Sequence, residues 1–215
     1  ILEQGNIIHA NDGKAISADK NLEIQALEFK YYKDLDLLKA YNGTAFIKSD
    51  NLEIEFTEID LDQKKLILKA KKNVKIFETK NKLLIKSNLI TYNWGSKVLN
   101  SNTNSIVEDQ FNNIFDTQSF NYEVEKNILK IEDANFKDFE NNNFYLKLAY
   151  INTLTNHLIG KDVDIDLNNK SFNKDNEPRL KGKTVSYNNE ITEVSKGVFT
   201  TCKKREGCPP WLISA

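Results

Sequence analysis

The chain has 215 residues, 40% of them hydrophobic and 28% charged, with a formal net charge of −1. That suffices for one elongated domain or two small ones with a buried core, and it excludes the strong basic field of a nucleic-acid binder. No apolar run approaches the ~18 residues of a membrane helix, and the chain opens at Ile1 without a single Met, as expected where a signal peptide has been processed or the start truncated.

The first element in chain order is a short strand around Gly5-Asn6-Ile7-Ile8-His9-Ala10. It precedes the first complete unit of an internal repeat, so no earlier strand is expected to cover it. Ile7, Ile8 and His9 are therefore the candidate edge for docking a partner strand.

The repeat follows. Asn21-Leu22-Glu23-Ile24 recurs as Asn51-Leu52-Glu53-Ile54, and Leu38-Lys39-Ala40 as Leu68-Lys69-Ala70. With Ile24 as the anchor, the same frame places anchors at Ile54, Ile85, Phe115, Leu146 and Leu180. Five residues on stand Phe29, Ile59, Ile90, Phe120, Ile151 and Val185. Seven on stand Tyr31, Leu61, Tyr92, Tyr122, Thr153 and Tyr187, and fourteen on Leu38, Leu68, Leu99, Leu129, Gly160 and Val194. Eight before the anchor stand Ile16, Phe46, Phe77, Val107, Asp138 and Phe172. The fifth copy is the weakest, with Asp138, Thr153 and Gly160 in apolar columns. The long last step implies an insertion between Gly160 and Leu180, where Asn176-Glu177-Pro178 reads as loop.

Each unit reads as strand. Leu52, Ile54 and Phe56 alternate with Glu53 and Glu55, which is period two with one wet face. The step from anchor to plus five is odd, so a corner or bulge must intervene if both residues face inward. Small residues at plus two (Ala26, Ser87, Thr117, Gly182) suit that corner. Polar stretches after plus seven, such as Lys33-Asp34 and Asn93-Trp94-Gly95-Ser96, are turns. Helix finds little support. Lys30–Ala40 has a helical look, but the register assigns it to strand, turn and strand. The expectation is an all-β, open, twisted β-jellyroll of about six ~30-residue repeats and sixteen to eighteen strands.

Catalytic and metal chemistry find no pattern. His9 and His157 lie far apart and lack metal-ligand spacing. From Asp162, a calcium loop would need Gly and Glu where Leu167 and Asn173 stand. Asp162, Asp164 and Asp166 instead read as the wet face of a strand carrying Val163, Ile165 and Leu167. The tyrosine column reads as a packed ladder rather than a base- or sugar-stacking platform. Cys202 and Cys208, close together near the end, suit a disulfide in an oxidising compartment, the alternative being two free thiols. Trp94 falls in a turn, and Trp211, after Pro209-Pro210, reads as an anchor for the tail.

The pattern apolar-x-small-x-x-apolar-x-aromatic, as in Ile85-Lys86-Ser87-Asn88-Leu89-Ile90-Thr91-Tyr92 and Leu180-Lys181-Gly182-Lys183-Thr184-Val185-Ser186-Tyr187, resembles the repeat of the lipopolysaccharide transport family. The end of the chain, Gly197-Val198-Phe199-Thr200-Thr201-Cys202 and then Cys208-Pro209-Pro210-Trp211, resembles the join between the OstA-like periplasmic domain and the barrel in that family's outer-membrane branch. The resemblance implies a periplasmic jellyroll over residues 1–199 and a Cys/Pro/Trp linker over 200–215, leading to a transmembrane barrel. It implies a carrier without catalysis or cofactor, at the periplasmic face of the outer membrane. The implied cargo is lipopolysaccharide, held in a groove of Ile24, Phe29, Ile54, Ile59, Ile85, Ile90, Phe115 and Phe120; without the resemblance these rows read as core only. The implied partners are a bridge protein of the same fold, docking by strand addition, the chain's own barrel, and a lipoprotein that plugs it. A cysteine near the mature N-terminus, frequent in the family, is absent here, so only Cys202 and Cys208 carry over. In the full-length protein one or both are implied to pair with barrel cysteines. The rival readings are a free-standing bridge component of the same pathway, a β-helical carbohydrate-active enzyme, which would need acids clustered at equivalent rungs, and a structural surface repeat with no lipid cargo.

Overall fold

The computed structural model describes residues 1–138, 140–168, 170, 172, 176–188, 190–203 and 213–214. Among these there are seventeen strands and no α-helix. In chain order they are β1 (Leu2–Gln4), β2 (Ile7–Ser17), β3 (Leu22–Tyr32), β4 (Leu37–Ile47), β5 (Leu52–Asp62) and β6 (Ile67–Glu78). Then come β7 (Leu83–Asn93), β8 (Val98–Ser101), β9 (Ser105–Glu108), β10 (Ile114–Glu123), β11 (Ile128–Lys137) and β12 (Asn143–Asn152). The last are β13 (His157–Asp166), β14 (Arg179–Tyr187), β15 (Thr192–Ser195), β16 (Val198–Thr200) and β17 (Ile213–Ser214). Each strand pairs antiparallel with its sequence neighbour, which makes one continuous meander. β8 and β9 are the halves of one broken strand between β7 and β10, and β15 and β16 both lie along β14.

The corner expected between anchor and plus five is present. In β3, Leu22, Ile24 and Ala26 point inward, then Phe29, with Leu27 and Glu28 both outward between them. The partner strand breaks parity at the same level: Ala40 and Ala45 are buried, and Asn42 between them takes a left-handed conformation. Left-handed Asp or Asn recurs at this corner in other returning strands, at Asp12, Asn42, Asn73, Asp133 and Asp162. These residue types tolerate that region better than most. Small residues face the corner because the backbones close in there: a Cβ on Gly43 would meet the Gln25 carbonyl at 2.0 Å and Ala26 Cα at 2.8 Å. Where Ser or Thr stands instead, its hydroxyl answers groups that the broken ladder leaves, as Thr117 does by bonding the Glu132 carbonyl at 2.7 Å. In β6 both Lys72 and Asn73 are left-handed and the register slips against β5 and β7. That extra residue accounts for the 31-residue step from Ile54 to Ile85.

Folded along this line of corners, the sheet encloses a single core. Ile24, Ile54, Ile85, Phe115, Phe29, Ile59, Ile90 and Phe120 are all at least 94% buried. The column at plus seven is also inside, with Tyr92, Tyr122 and Tyr187 buried and Tyr31 half-buried. These tyrosines pack inward, as the ladder reading expects. Trp94 stacks edge-on against Tyr92 from its turn.

Two parts of the sequence frame require correction. The fifth copy is not degenerate but out of frame by two. Phe115 pairs with Phe136, and Phe136 with Phe144, so Phe144 rather than Leu146 is its anchor. Ile151 and Leu158 then fill the columns where Thr153 and Gly160 had been placed, and both are buried. The column eight before the anchor is also not uniform. Val107 pairs with Phe115 and is buried, but Ile16 and Phe77 face solvent. In the first three copies the inward residue is one earlier (Ala15, Ala45, Ile76), because the return to the anchor is one residue longer. Asn176–Pro178 carries no strand, in line with the insertion. Asp164 sits on the wet face, bridged to Lys181, while Asp162 forms the corner.

Candidate lipid-binding groove

The turns fall on two sides of the folded sheet. The near-side turns include 18–21, 48–51, 79–82, 109–113 and 140–142; the far-side turns span 33–36, 63–66, 94–97, 124–127 and 153–156. The two sides meet along a seam, each near-side turn facing the far-side turn of the next repeat.

That seam is closed by buried polar groups. Asp50 accepts hydrogen bonds from the Tyr92 hydroxyl and from Lys97, the latter at 2.9 Å. One repeat on, Asn81 donates to the Tyr122 hydroxyl at 3.0 Å and to Asn127 at 2.9 Å, and Tyr122 donates to Glu78. In the next, Asn113 donates to Asn156 at 2.8 Å and Gln110 to the Thr153 carbonyl at 3.1 Å. Three acids brace the near-side turns from within. Glu78, Asp109 and Asp138 each accept two backbone N–H groups of their own turn. Burial pushes the Asp109 carboxyl above its ordinary range. Burial, and then Asp50, push the Tyr92 phenol far up, and burial raises Tyr122. Tyr187, with no hydroxyl partner among the described residues, is pushed up to about 12 by burial and then by Asp138.

At the first level the seam is different. No hydrogen bond or ion pair among the described residues crosses from turn 18–21 to turn 63–66. The bonds there are local: Ser17 to Asp19, Lys20 to Asp19, Tyr31 to Asp36. Lys20 stands where Asp50 and Asn81 stand in the next two repeats, and Leu61 where Tyr92 and Tyr122 do. Between the two turns lies a cleft of about 410 Å³, lined by apolar groups including Leu22, Ile24, Leu38 and Leu61 and rimmed by Ser17, Asp19 and Gln63. This is within the usual ~300–1,000 Å³ of ligand pockets.

Of the eight groove residues read from the sequence, Ile24 lines this cleft. The other seven, Phe29, Ile54, Ile59, Ile85, Ile90, Phe115 and Phe120, are mutually packed core behind it. Ile7, Ile8 and His9 stand one strand in from the edge: they pair with Tyr32, Tyr31 and Lys30 on one side and with Gln4, Glu3 and Leu2 of β1 on the other. Beyond β1, the second half of β2, from Ala10 to Ser17, pairs among the described residues with β3 alone. The Cys202–Cys208 pairing, the Pro209-Pro210-Trp211 segment and the Trp211 anchor involve residues outside those described. Ile213 and Ser214 pair with Phe199 and Val198 of β16. The polar seam went unread in the sequence. Its signal was the alternation of Asp50 and Asn81 with Tyr92 and Tyr122, spaced 42 and 41 residues between turn and column.

Fold and cleft together define a class: an open jellyroll of stacked β repeats with a continuous apolar interior and a mouth at its N-terminal end. No family model matches the chain, and no curated protein matches it in sequence. Among solved structures it is similar to LptH from Pseudomonas aeruginosa, titled the LptA homologous periplasmic component of the conserved lipopolysaccharide transport device. The identity is 10%, the match covers 59% of this chain and 81% of that one, and the TM-score is 0.41.

Proposed function

We propose that this chain is a periplasmic lipid carrier that receives lipopolysaccharide from a bridge protein of the same fold and passes it toward an outer-membrane β-barrel. The observation that carries the reading is the apolar interior running without interruption from the mouth at Ile24 through the anchor and plus-five rows. Such an interior suits acyl chains, at about 0.8 kcal/mol per buried CH₂. The repeat motifs and the Cys/Pro/Trp tail support the outer-membrane branch of the pathway over a free-standing bridge, which is the second reading. Residues 1–199 are then the jellyroll and 200–215 the linker to the barrel and its plug lipoprotein.

The bare stretch Ala10–Ser17, continuous in β2 with Ile7, Ile8 and His9, supports docking by strand addition at the N-terminal end, with the incoming strand paired to β2 in line with β1. Because the groove rows are packed, cargo must part them as it advances, in short contacts rather than along a preformed tunnel.

A photoreactive side chain placed in turn at Ile24, Ile54, Ile59, Ile85 and Phe120, with Glu53 and Glu55 as outward controls, tests the reading. Lipopolysaccharide adducts at the inward sites alone are expected. Adducts at neither set, in a protein that still supports growth of cells depending on it, reduce the rows to core and remove the carrier function. Proline placed in turn at Lys14, Ala15 and Ile16, where β2 pairs only with β3, tests the edge: at a position whose N–H faces outward it removes a donor to the incoming strand, so partner binding should weaken while the fold persists.

A further inference from the structure

We infer that the first level of the jellyroll is a lateral portal for one alkyl chain, and that Asp50, Tyr92 and Lys97 form the stop that holds a chain there until transport parts the level beyond. The inference rests on the lipid reading above and adds the entry site and its limit. The cleft between turns 18–21 and 63–66 is walled by Leu22, Ile24, Leu38 and Leu61 and opens at the bare edge of β2, where Ile16 is 69% exposed. Its rim carries Ser17, Asp19 and Gln63, which keep water and a polar headgroup outside an apolar hole. A chain entering from the side therefore meets no polar bond to break. One level deeper it does: Asp50 is 7% exposed and holds both the Tyr92 hydroxyl and Lys97 across the seam. Parting that level strips a buried carboxylate of both side-chain partners, whereas parting the first level costs only apolar contact. The cleft's volume, about 410 Å³, suits a single alkyl chain rather than a bundle of them.

The probe is a diazirine-bearing palmitate, photolysed with the whole chain and mapped by peptide mass spectrometry. In the wild type, adducts should concentrate on peptides holding Ile24, Leu38 and Leu61, at least tenfold over those holding Ile85, Ile90 and Phe115. The double variant Asp50→Ala/Tyr92→Phe removes every bond across the stop while keeping the ring. Its adducts should spread to peptides holding Ile54 and Leu68. Lys97→Ala, which leaves the Tyr92–Asp50 bond, serves if the double variant does not fold, and a smaller spread is expected there. Equal labelling along the wild-type core, or labelling that stays at the first level in a folded double variant, overturns the stop. Palmitate adducts confined to sites away from the cleft overturn the portal but leave the carrier reading standing. No adducts from either palmitate or lipopolysaccharide overturn both.

Discussion

The first repeat and the third differ in how they close, although both obey the same frame. In the third and fourth, the turns on the two sides are tied through the interior by Asn81, Tyr122 and Asn127, with Glu78 and Asp109 bracing the turns. In the first, the turns bond along each side, Lys48 N–H to the Asn21 carbonyl and Gln63 N–H to that of Asp36, and among the described residues no bond crosses between turns 18–21 and 63–66. Similar apolar columns thus produce a sealed section and an unsealed one. What separates them is a few polar residues in the turns and one position of the plus-seven column, Leu61 where the sealed levels carry Tyr92 and Tyr122. A jellyroll built this way can set its degree of opening level by level without altering its core.

The largest expected effect that breaks the comparison is a charge in the sealed section. Ile85→Asp would bury an unpaired carboxylate at a site with no exposure, and unfolding in urea should show a loss of roughly 3–5 kcal/mol or outright failure to fold. Ile16→Asp, at the rim of the unsealed level, should stay within about 0.5 kcal/mol of wild type. Comparable losses from both would mean that the first level is as closed as the rest. Next in size is the seam hydroxyl. Tyr122→Phe leaves Asn81 and Glu78 short of a buried partner and should cost about 1–3 kcal/mol. Tyr31→Phe loses only a bond to Asp36 in a half-buried setting, so its cost should be no more than about 1 kcal/mol by the same urea titration.

The strands, the odd-step corner and the inward columns were all legible in the sequence, because period-two alternation and a 30-residue recurrence survive in the residue types themselves. Four things were not. The fifth copy slipped by two because Leu146 is as apolar as the true anchor Phe144; only the ladder pairing of Phe136 with Phe144 chooses between them. The seam was hidden because it joins Asn81 to Tyr122 and Asn127, more than forty residues on, and a turn Asn looks the same whether it points outward or caps a buried network. Openness was equally illegible: the rows were read as a groove, yet only Ile24 reaches the cleft, since splay depends on turn contacts rather than row composition. The candidate edge at Ile7–His9 was read without β1, whose three residues are too few and too polar to announce a strand.

Acid should act on the two regions with opposite sign. Glu23 is held down to about 2 from 4.5, first by its bond from Lys14, so its contribution is present above pH 4.5 and is lost as pH falls toward 2. Asp109 is raised by burial, so the folded state is favoured below the ordinary carboxylate range near 3.8, and that advantage is lost as pH rises through the raised value. Glu23→Gln should therefore flatten the loss of stability below pH 4.5. Asp109→Asn should flatten the component that improves on acidification. Urea midpoints from pH 7 to 3 measure both, and parallel wild-type and Asp109→Asn curves would remove Asp109 from the account.

The smallest expected effect on stability sharpens the comparison most. Transplanting the seam's chemistry to the first level takes two changes, Lys20→Asp and Leu61→Tyr, which place the types found at Asp50 and Tyr92 at their equivalent positions. The new pair adds a buried hydrogen bond but gives up the Lys20–Asp19 bond, so the two effects roughly offset. The net shift should lie within about 1 kcal/mol. The cleft is where the change should register. A tyrosine ring in place of Leu61 would occupy part of the space between the turns, and its hydroxyl would tie the sides together as Tyr92 does one level on. Hydrogen exchange at the backbone amides of β2 and of turn 63–66 should then slow, because opening the first level would require breaking a polar bond. If the double variant folds with unchanged stability and unchanged exchange, turn chemistry does not govern closure at this level, and the difference between the first and third repeats must come from the end of the stack itself.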